Sequence, residues 1–332
     1  MAEDRKSRRS SPSKKAKKTL SSHFNERARG ASEVEIKLLV PDNDRQVFET
    51  LESYFTGKGW VRLSRKGNHL LTRQLDTARM NLAARGVSLR VRGDCLDDDL
   101  DRITTADICV KAGTTTDPSG ALRRGEYEAR IKRFETVPLN ALLRKYPKAE
   151  YPELHKALKG IKPEKLKEYF RIDCSRNRYV IELPPEETGL KGKRFVAELI
   201  MDDVAFVVDL PGRALPLIFH YDMEIECEAL FEPCDYDTHP DAAKHVSDAL
   251  TDEETDRALS AIKRHIQTGA GTSLQENFRS KAERGFAERR SLVDAFKKQL
   301  LLFSGCEDLH KRLGRDYGFV LKRHPLATHN PK

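Results

Sequence analysis

What the 332-residue chain lacks first is a long apolar run: no stretch approaches the roughly 18 to 20 residues that cross a bilayer, so no membrane span is expected. It also lacks an apolar leader. Met1-Ala2-Glu3-Asp4 is followed by Lys, Arg and Ser, which is not the make-up of a secretory signal. Its six cysteines form no CxxC pair. In a chain this long that speaks against a disulfide framework or a zinc ribbon and for reduced thiols, hence for a cytoplasmic protein. No internal repeat is visible. The bulk of the chain is also short of net charge, because residues 1–32 hold ten Lys or Arg against three acids and so carry nearly all of the +8. Nucleic acid contact is therefore expected only through this Ser/Lys/Arg-rich tail, read as disordered and solubilising.

What is present, 38% apolar and 34% charged residues, suits one large domain with an appendage. Polar–apolar alternation predicts strands over Glu33–Val40, His69–Leu75, Leu89–Arg92, Ile108–Lys111, Glu126–Arg130, Asp173–Leu183, Phe195–Asp202, Val204–Leu210 and Tyr221–Leu230. Asp42 is a plausible N-cap for a helix carrying Val47, Phe48, Leu51 and Phe55. Leucines at helical spacing between prolines predict short helices within 138–169. Helical periodicity then predicts Asp241–Gln267, with a break near Thr251, and Leu274–Phe303. The sum is an α+β domain dominated by an antiparallel sheet or barrel.

Several of these strands carry charge along one face, since residues i and i+2 share a side. Glu33, Glu35 and Lys37 oppose Val34, Ile36 and Leu38; Arg90 and Arg92 oppose Leu89 and Val91; Lys111 opposes Val110. Arg124, Glu126 and Glu128 line up, as do Arg176 and Arg178, Glu198 and Asp202, and Glu224, Glu226 and Glu228. One such strand is ordinarily a half-solvated edge. As a set, adjacent carboxylates repel unless cations sit between them, and strands rich in Arg and Lys suit a multiply charged anion. Dry burial of so many charges would cost several kcal/mol each. If the polar faces turn inward, the interior is a wet channel holding metal ions and a polyanion.

The motifs resemble the CYTH, or triphosphate tunnel metalloenzyme, superfamily. Glu33-Val34-Glu35-Ile36-Lys37 is similar to its opening Glu-x-Glu-x-Lys, and Leu75-Asp76-Thr77, Leu82, Gly86 and Leu89-Arg90-Val91-Arg92 follow its next segment in order. Lys111, Arg124-Gly125-Glu126-Tyr127-Glu128, Tyr169-Phe170 with Arg176, Glu198 to Asp202, Glu224 to Glu228 and Ser280-Lys281-Ala282-Glu283-Arg284-Gly285 resemble the later elements. Leu75 stands where an aromatic is usual, a matter of packing more than chemistry.

The resemblance covers 33–288, leaving 1–32 as a basic tail and 289–332 as a C-terminal helical extension and tail. It implies an eight-stranded antiparallel β-barrel tunnel surrounded by helices. It also implies Mg²⁺ or Mn²⁺ on Glu33, Glu35, Asp202, Glu224 and Glu226, and a triphosphate-containing small molecule gripped by Lys37, Arg90, Arg92, Lys111, Arg124, Arg176 and Lys281. Glu33, Glu35 and Lys37 are the implied catalytic set; Glu126, Glu128, Glu228 and Arg178 are secondary candidates. Metal-dependent hydrolysis of inorganic tripolyphosphate or a simple organic triphosphate is the implied reaction. Its alternatives are a class IV adenylate cyclase, for which His23-Phe24 is the sequence marker, and a non-catalytic polyphosphate-binding module. His23, His69 and His220 are possible bases by type, although isolated histidines mostly serve surfaces or cores.

Overall fold

The computed structural model describes residues 32–96, 99–116, 122–209, 216–232 and 244–302. The basic tail with His23, and all beyond Leu302, lie outside the described residues, as do the side chains of Glu33 and Arg124. Nine strands form one antiparallel sheet: β1 (Ser32–Leu39), β2 (Val61–Thr77), β3 (Ser88–Leu96), β4 (Asp99–Thr116), β5 (Leu122–Ile131), β6 (Leu166–Leu183), β7 (Phe195–Val208), β8 (Leu217–Ala229) and β9 (Gln275–Glu276). Their order is β5-β4-β3-β2-β6-β7-β8-β1-β9.

The eight-stranded closed barrel expected from the motifs is thus corrected to a nine-stranded sheet. One edge of β1 pairs with β8, Glu35 opposite Glu228 and Leu39 opposite Glu224. Its other edge is shared. Residues 32–35 pair with 125–122 of β5, whereas Leu38 and Leu39 pair with β9. β9 therefore occupies the part of the β1 edge that a barrel would use along its full height.

The apolar strand faces are covered by helices. Val34, Ile36 and Leu38 pack with Val47, Phe48, Leu51 and Phe55 of α1 (Gln46–Gly57) and with Leu259, Ile262 and Ile266 of α5 (Asp252–Ala270). Leu89, Val91, Ile108 and Val110 pack with Leu139 and Leu142 of α2 (Leu139–Lys145) and Leu154 of α3 (Pro152–Ala157). A four-residue helix, α4 (Pro185–Thr188), follows β6. At roughly 1.5–3 kcal/mol per buried aliphatic side chain, this outer layer is what commits the polar faces to the inside.

Several element boundaries move for local reasons. Asp42 sits in a 3-10 turn at φ 55, and it is Asp44 whose carboxylate accepts from the Gln46 amide (3.0 Å) at the start of α1. Thr251 is not a break but the N-cap of α5, in a reciprocal capping box with Glu254, and 245–250 are not helical. The expected helix from Leu274 starts only at Lys281, as α6 (Lys281–Leu302), because Gln275 and Glu276 are taken into the sheet. There Ser280 and Glu283 exchange capping bonds of 2.7 and 3.2 Å. The two strands expected across 195–210 are one, β7, and β6 begins at Leu166, within the region read as helical.

α6 approaches the sheet at Gly285, where an added Cβ would stand 2.3 Å from Phe170 Cζ and 3.0 Å from Phe206 Cδ1. Gly285→Ala is expected to push α6 outward, at a cost of about 1–3 kcal/mol. A thermal melt superimposable on that of the native chain would show that the helix is not held at this contact.

Candidate active site

The inward faces of β1 to β8 and the first residues of α6 line a cavity of about 270 Å³. Seven cations reach it, Lys37, Arg90, Arg92, Lys111, Arg176, Arg178 and Lys281, with five carboxylates, Glu126, Glu128, Glu198, Glu226 and Glu228. Strand alternation delivers them, each residue lying two positions from the next along its strand. α6 contributes differently: its capped N-terminus points Lys281 into the site from outside the sheet.

One wall, from β1, β6, β7, β8 and α6, is a lattice of buried ion pairs. Lys281 Nζ lies 3.0 Å from Asp202, 2.8 Å from Glu224 and 2.7 Å from Glu226. Lys37 Nζ is 2.8 Å from Glu35 and also pairs with Glu226. Arg176 grips Asp202 through two bonds of 2.7 and 2.6 Å and touches Glu226 at 3.5 Å. Arg284 holds Glu224 at 2.9 Å and Asp222 at 2.8 Å, and Asn277 donates to Glu224 at 3.1 Å. Burial alone would raise these acids, but the cations prevail. Lys281, Arg284 and Lys37 hold Glu224 at about 2. Lys281, Lys37 and Arg176 hold Glu226 well below the usual range, and Arg176 and Lys281 lower Asp202. Burial works to lower Lys281 and Arg284, yet their carboxylate partners raise both.

The facing wall, from β3, β4 and β5, is simpler. Arg90 meets Glu126 at 2.9 Å and Glu128 at 3.3 Å; Arg92 lies 3.7 Å from Glu128, and Lys111 2.8 Å from Glu126. Against the burial that would raise it, Arg92, Arg90 and Lys111 hold Glu128 at about 2. Cys109 Sγ is 3.1 Å from Glu126, and one ligand atom each from Cys109, Glu126 and Glu128 falls within 4.8 Å of the others. Burial pushes the Cys109 thiol well up, so it stays neutral. Between the walls Arg178 pairs with Glu198 through two 2.9 Å bonds.

Thus the structure brings Lys37, Arg90, Arg92, Lys111, Arg176, Arg178, Lys281, Glu126, Glu128, Glu226 and Glu228 together around one cavity. Glu35, Asp202 and Glu224 stand just behind, on the same cations, the last two with no exposure. Two histidines are elsewhere: His69 pairs with Asp173, and His220 with Asp222 at 2.9 Å, neither lining the cavity. Three participants had no assigned role in the sequence. Glu198 lay in a recognised charged stripe; Arg284 lay three residues after Lys281, on the same helical face. Gln74, which donates to Ser88 at 3.1 Å in the lining, carries no charge and so gave no stripe.

No family model matches the chain, and no curated protein matches it. Among solved structures, it is similar to an adenylyl cyclase candidate of Hippeastrum described as having a dominant triphosphatase activity, at 18% identity, covering 78% of this chain and 95% of that one, TM-score 0.44. It is also similar to a protein of Pyrococcus horikoshii OT3, at 15% identity over 77% and 99%, TM-score 0.40. The capping enzyme triphosphatase of Mimivirus stands at 10% identity over 77% and 98%, TM-score 0.35. Identities this low leave the chemistry to be read from the residues. No helix among the described residues is long and apolar enough to cross a membrane.

Proposed function

We propose that the chain hydrolyses a triphosphate with the help of Mg²⁺ or Mn²⁺, inside a channel formed where the sheet curls β1 between β8 and β5. The observation that supports this most is the converging lining of seven cations and five carboxylates from seven strands and one helix. Arg284 brings the cations to eight, and Glu35, Asp202 and Glu224 bring the carboxylates to eight. A site so nearly neutral does not by itself satisfy a tripolyphosphate, so the anion has to enter with cations of its own. The donors suit such cations. Glu35 and Glu226 on one wall, and Glu126 and Glu128 on the other, are the oxygen ligands hard divalent ions take, while neutral Cys109 is a poor one. Asp202 and Glu224 instead hold Lys281, Arg176 and Arg284 in place.

When bound, such an ion polarises phosphate oxygens and makes water a better nucleophile. The chain's own part is positional and electrostatic. Each cation already has a carboxylate partner, so its desolvation is met before substrate arrives and its direction is fixed. Lys37, Arg90, Lys111 and Arg176 exchange part of those contacts for phosphate oxygens, arginine bidentately and lysine as a point charge. Water attacks the terminal phosphorus in line, the bond to the bridging oxygen breaks, and the basic residues meet the charge on departing diphosphate. Among the described residues no aromatic ring lines the cavity, so a purine finds no stacking surface; this favours tripolyphosphate over ATP cyclisation.

Incubation with tripolyphosphate, ATP or thiamine triphosphate, each with Mg²⁺ or Mn²⁺, tests the reading. Phosphate released fastest from tripolyphosphate is expected. Cyclic AMP as the main product from ATP, or tight binding with no turnover of any of the three, overturns it.

A further inference from the structure

Of the strands β1 to β8 that line the triphosphate cavity, β2 alone sends no charge into it among the described residues; it contributes Leu70, Thr72 and Gln74. Gln74 is nonetheless buried and firmly held. Its Nε2 donates to Ser88 Oγ and to the Leu89 carbonyl, both at 3.1 Å. A carbonyl can only accept, so the nitrogen has to be the atom that faces Leu89, and the amide cannot be turned over. Both amide hydrogens are used in this way, while Oε1 meets no donor among the described residues. The side chain therefore presents one fixed, neutral acceptor in the cavity wall.

Such an acceptor is scarce in this cavity. Lysine and arginine only donate, so none of the seven cations can accept a hydrogen bond from water. Glu126, Glu128, Glu198 and Glu226 each hold cations, and Glu228 is engaged as well. Ser280 spends its hydroxyl on Glu283, at 2.9 Å. Place matters as much as chemistry. In the strand registers Gln74 stands directly opposite Arg90, and Ser88 directly opposite Lys111. Residues so opposed have Cβ atoms about 5 Å apart. The amide is thus a neighbour of the two cations that grip phosphate on this wall, while Lys37, Arg176 and Lys281 reach in from the facing one.

We propose that Gln74 is a catalytic residue whose Oε1 accepts a hydrogen bond from the water that attacks the terminal phosphorus, with Ser88 as the positioning residue that holds the amide. This rests on the triphosphatase reading and adds to it the group that aims the nucleophile. With the terminal phosphate on Arg90 and Lys111, water attacks from the β2 side and diphosphate departs toward the facing wall. The water oxygen ends in orthophosphate. The P–O bond to the bridging oxygen breaks, its electron pair leaves with diphosphate, and one water proton goes to each product. The amide orients the water and takes no proton itself.

Steady-state kinetics of the full chain on tripolyphosphate with Mn²⁺, comparing native protein with Gln74→Leu and Ser88→Ala, decide this. For Gln74→Leu the expected result is a kcat lowered about 100-fold, with KM and the Mn²⁺ concentration for half-activity unaltered. Ser88→Ala is expected to lower kcat about 10-fold, again at constant KM, because the Leu89 carbonyl still holds the amide. An unaltered kcat in Gln74→Leu overturns the proposal. So does a raised KM at native kcat, which makes Gln74 a grip on phosphate, or a kcat loss restored by more Mn²⁺, which makes it a support of the metal. Should Gln74→Leu fail to fold, Ser88→Ala alone decides: a lower kcat at constant KM supports the assignment, and a native kcat overturns it. A native chain that releases no phosphate from tripolyphosphate overturns the triphosphatase reading and this one with it, whereas native turnover with an indifferent Gln74 overturns this one only.

Discussion

Glu35→Gln is expected to lower metal-dependent phosphate release from tripolyphosphate by at least about 100-fold in a protein that still folds. Two roles of Glu35 combine in that figure. Its carboxylate lies 2.8 Å from Lys37 Nζ, in a side chain only 3% exposed, so it fixes the direction of a phosphate-gripping lysine. In the proposed mechanism it is also the oxygen donor that β1 offers a divalent ion beside Glu226. One lost charge-assisted contact accounts for about 1.5–3 kcal/mol, or roughly 10- to 150-fold; loss of an ion adds to it. The fold survives because Lys37 keeps Glu226 and the amide preserves the shape of the carboxylate. Turnover is to be measured with Mn²⁺ affinity and the unfolding midpoint. Native turnover and native Mn²⁺ affinity in the variant, with only the midpoint lowered, would reduce Glu35 to an anchor for Lys37.

The charge stripes were legible in the sequence because strand alternation is a rule with period two. Once Val34, Ile36 and Leu38 had to be buried, Glu35 and Lys37 had to share the opposite face. That reasoning carried through to Arg90 and Arg92, to Lys111 and to Glu226, all of which reach one cavity. It failed where the determinant was not periodic. β9 is only two residues long, and nothing in Gln275-Glu276 marks a strand; it exists because β1 leaves an edge for it. The start of α6 was misread because Leu274 fits the helical spacing, whereas the Ser280–Glu283 box, not the apolar pattern, fixes the first turn. Nor could a stripe tell which acids would face the cavity and which would be consumed in pairing. Asp202 and Glu224 fell in the second group only because Arg176, Lys281 and Arg284 arrive from another strand and from a helix.

One of the deepest of those pairings should contribute measurably to acid stability. Glu224 has no solvent exposure and contacts Lys281 at 2.8 Å and Arg284 at 2.9 Å. Removing one partner of a buried pair costs about 3–5 kcal/mol, and Glu224→Gln belongs near the lower end. Lys281 retains Asp202 and Glu226, and Arg284 retains Asp222, so no cation is left without a carboxylate. Titration gives an independent figure. Burial disfavours the charged form, but Lys281, Arg284 and Lys37 bring the folded pKa down to about 2 from 4.5. The depressed acid binds fewer protons folded than unfolded, so its contribution is whole above about pH 4.5 and drains away as pH falls toward 2. Integrated, that is on the order of 3 kcal/mol, in agreement with the pairing estimate. In denaturant melts at neutral pH, Glu224→Gln is therefore expected to lose about 3 kcal/mol. Between pH 4.5 and 2 the gap to the native chain should shrink, since acid does to the native protein what the substitution has already done. A gap that stays constant down to pH 2 would place the acid-sensitive pairing elsewhere than on Glu224.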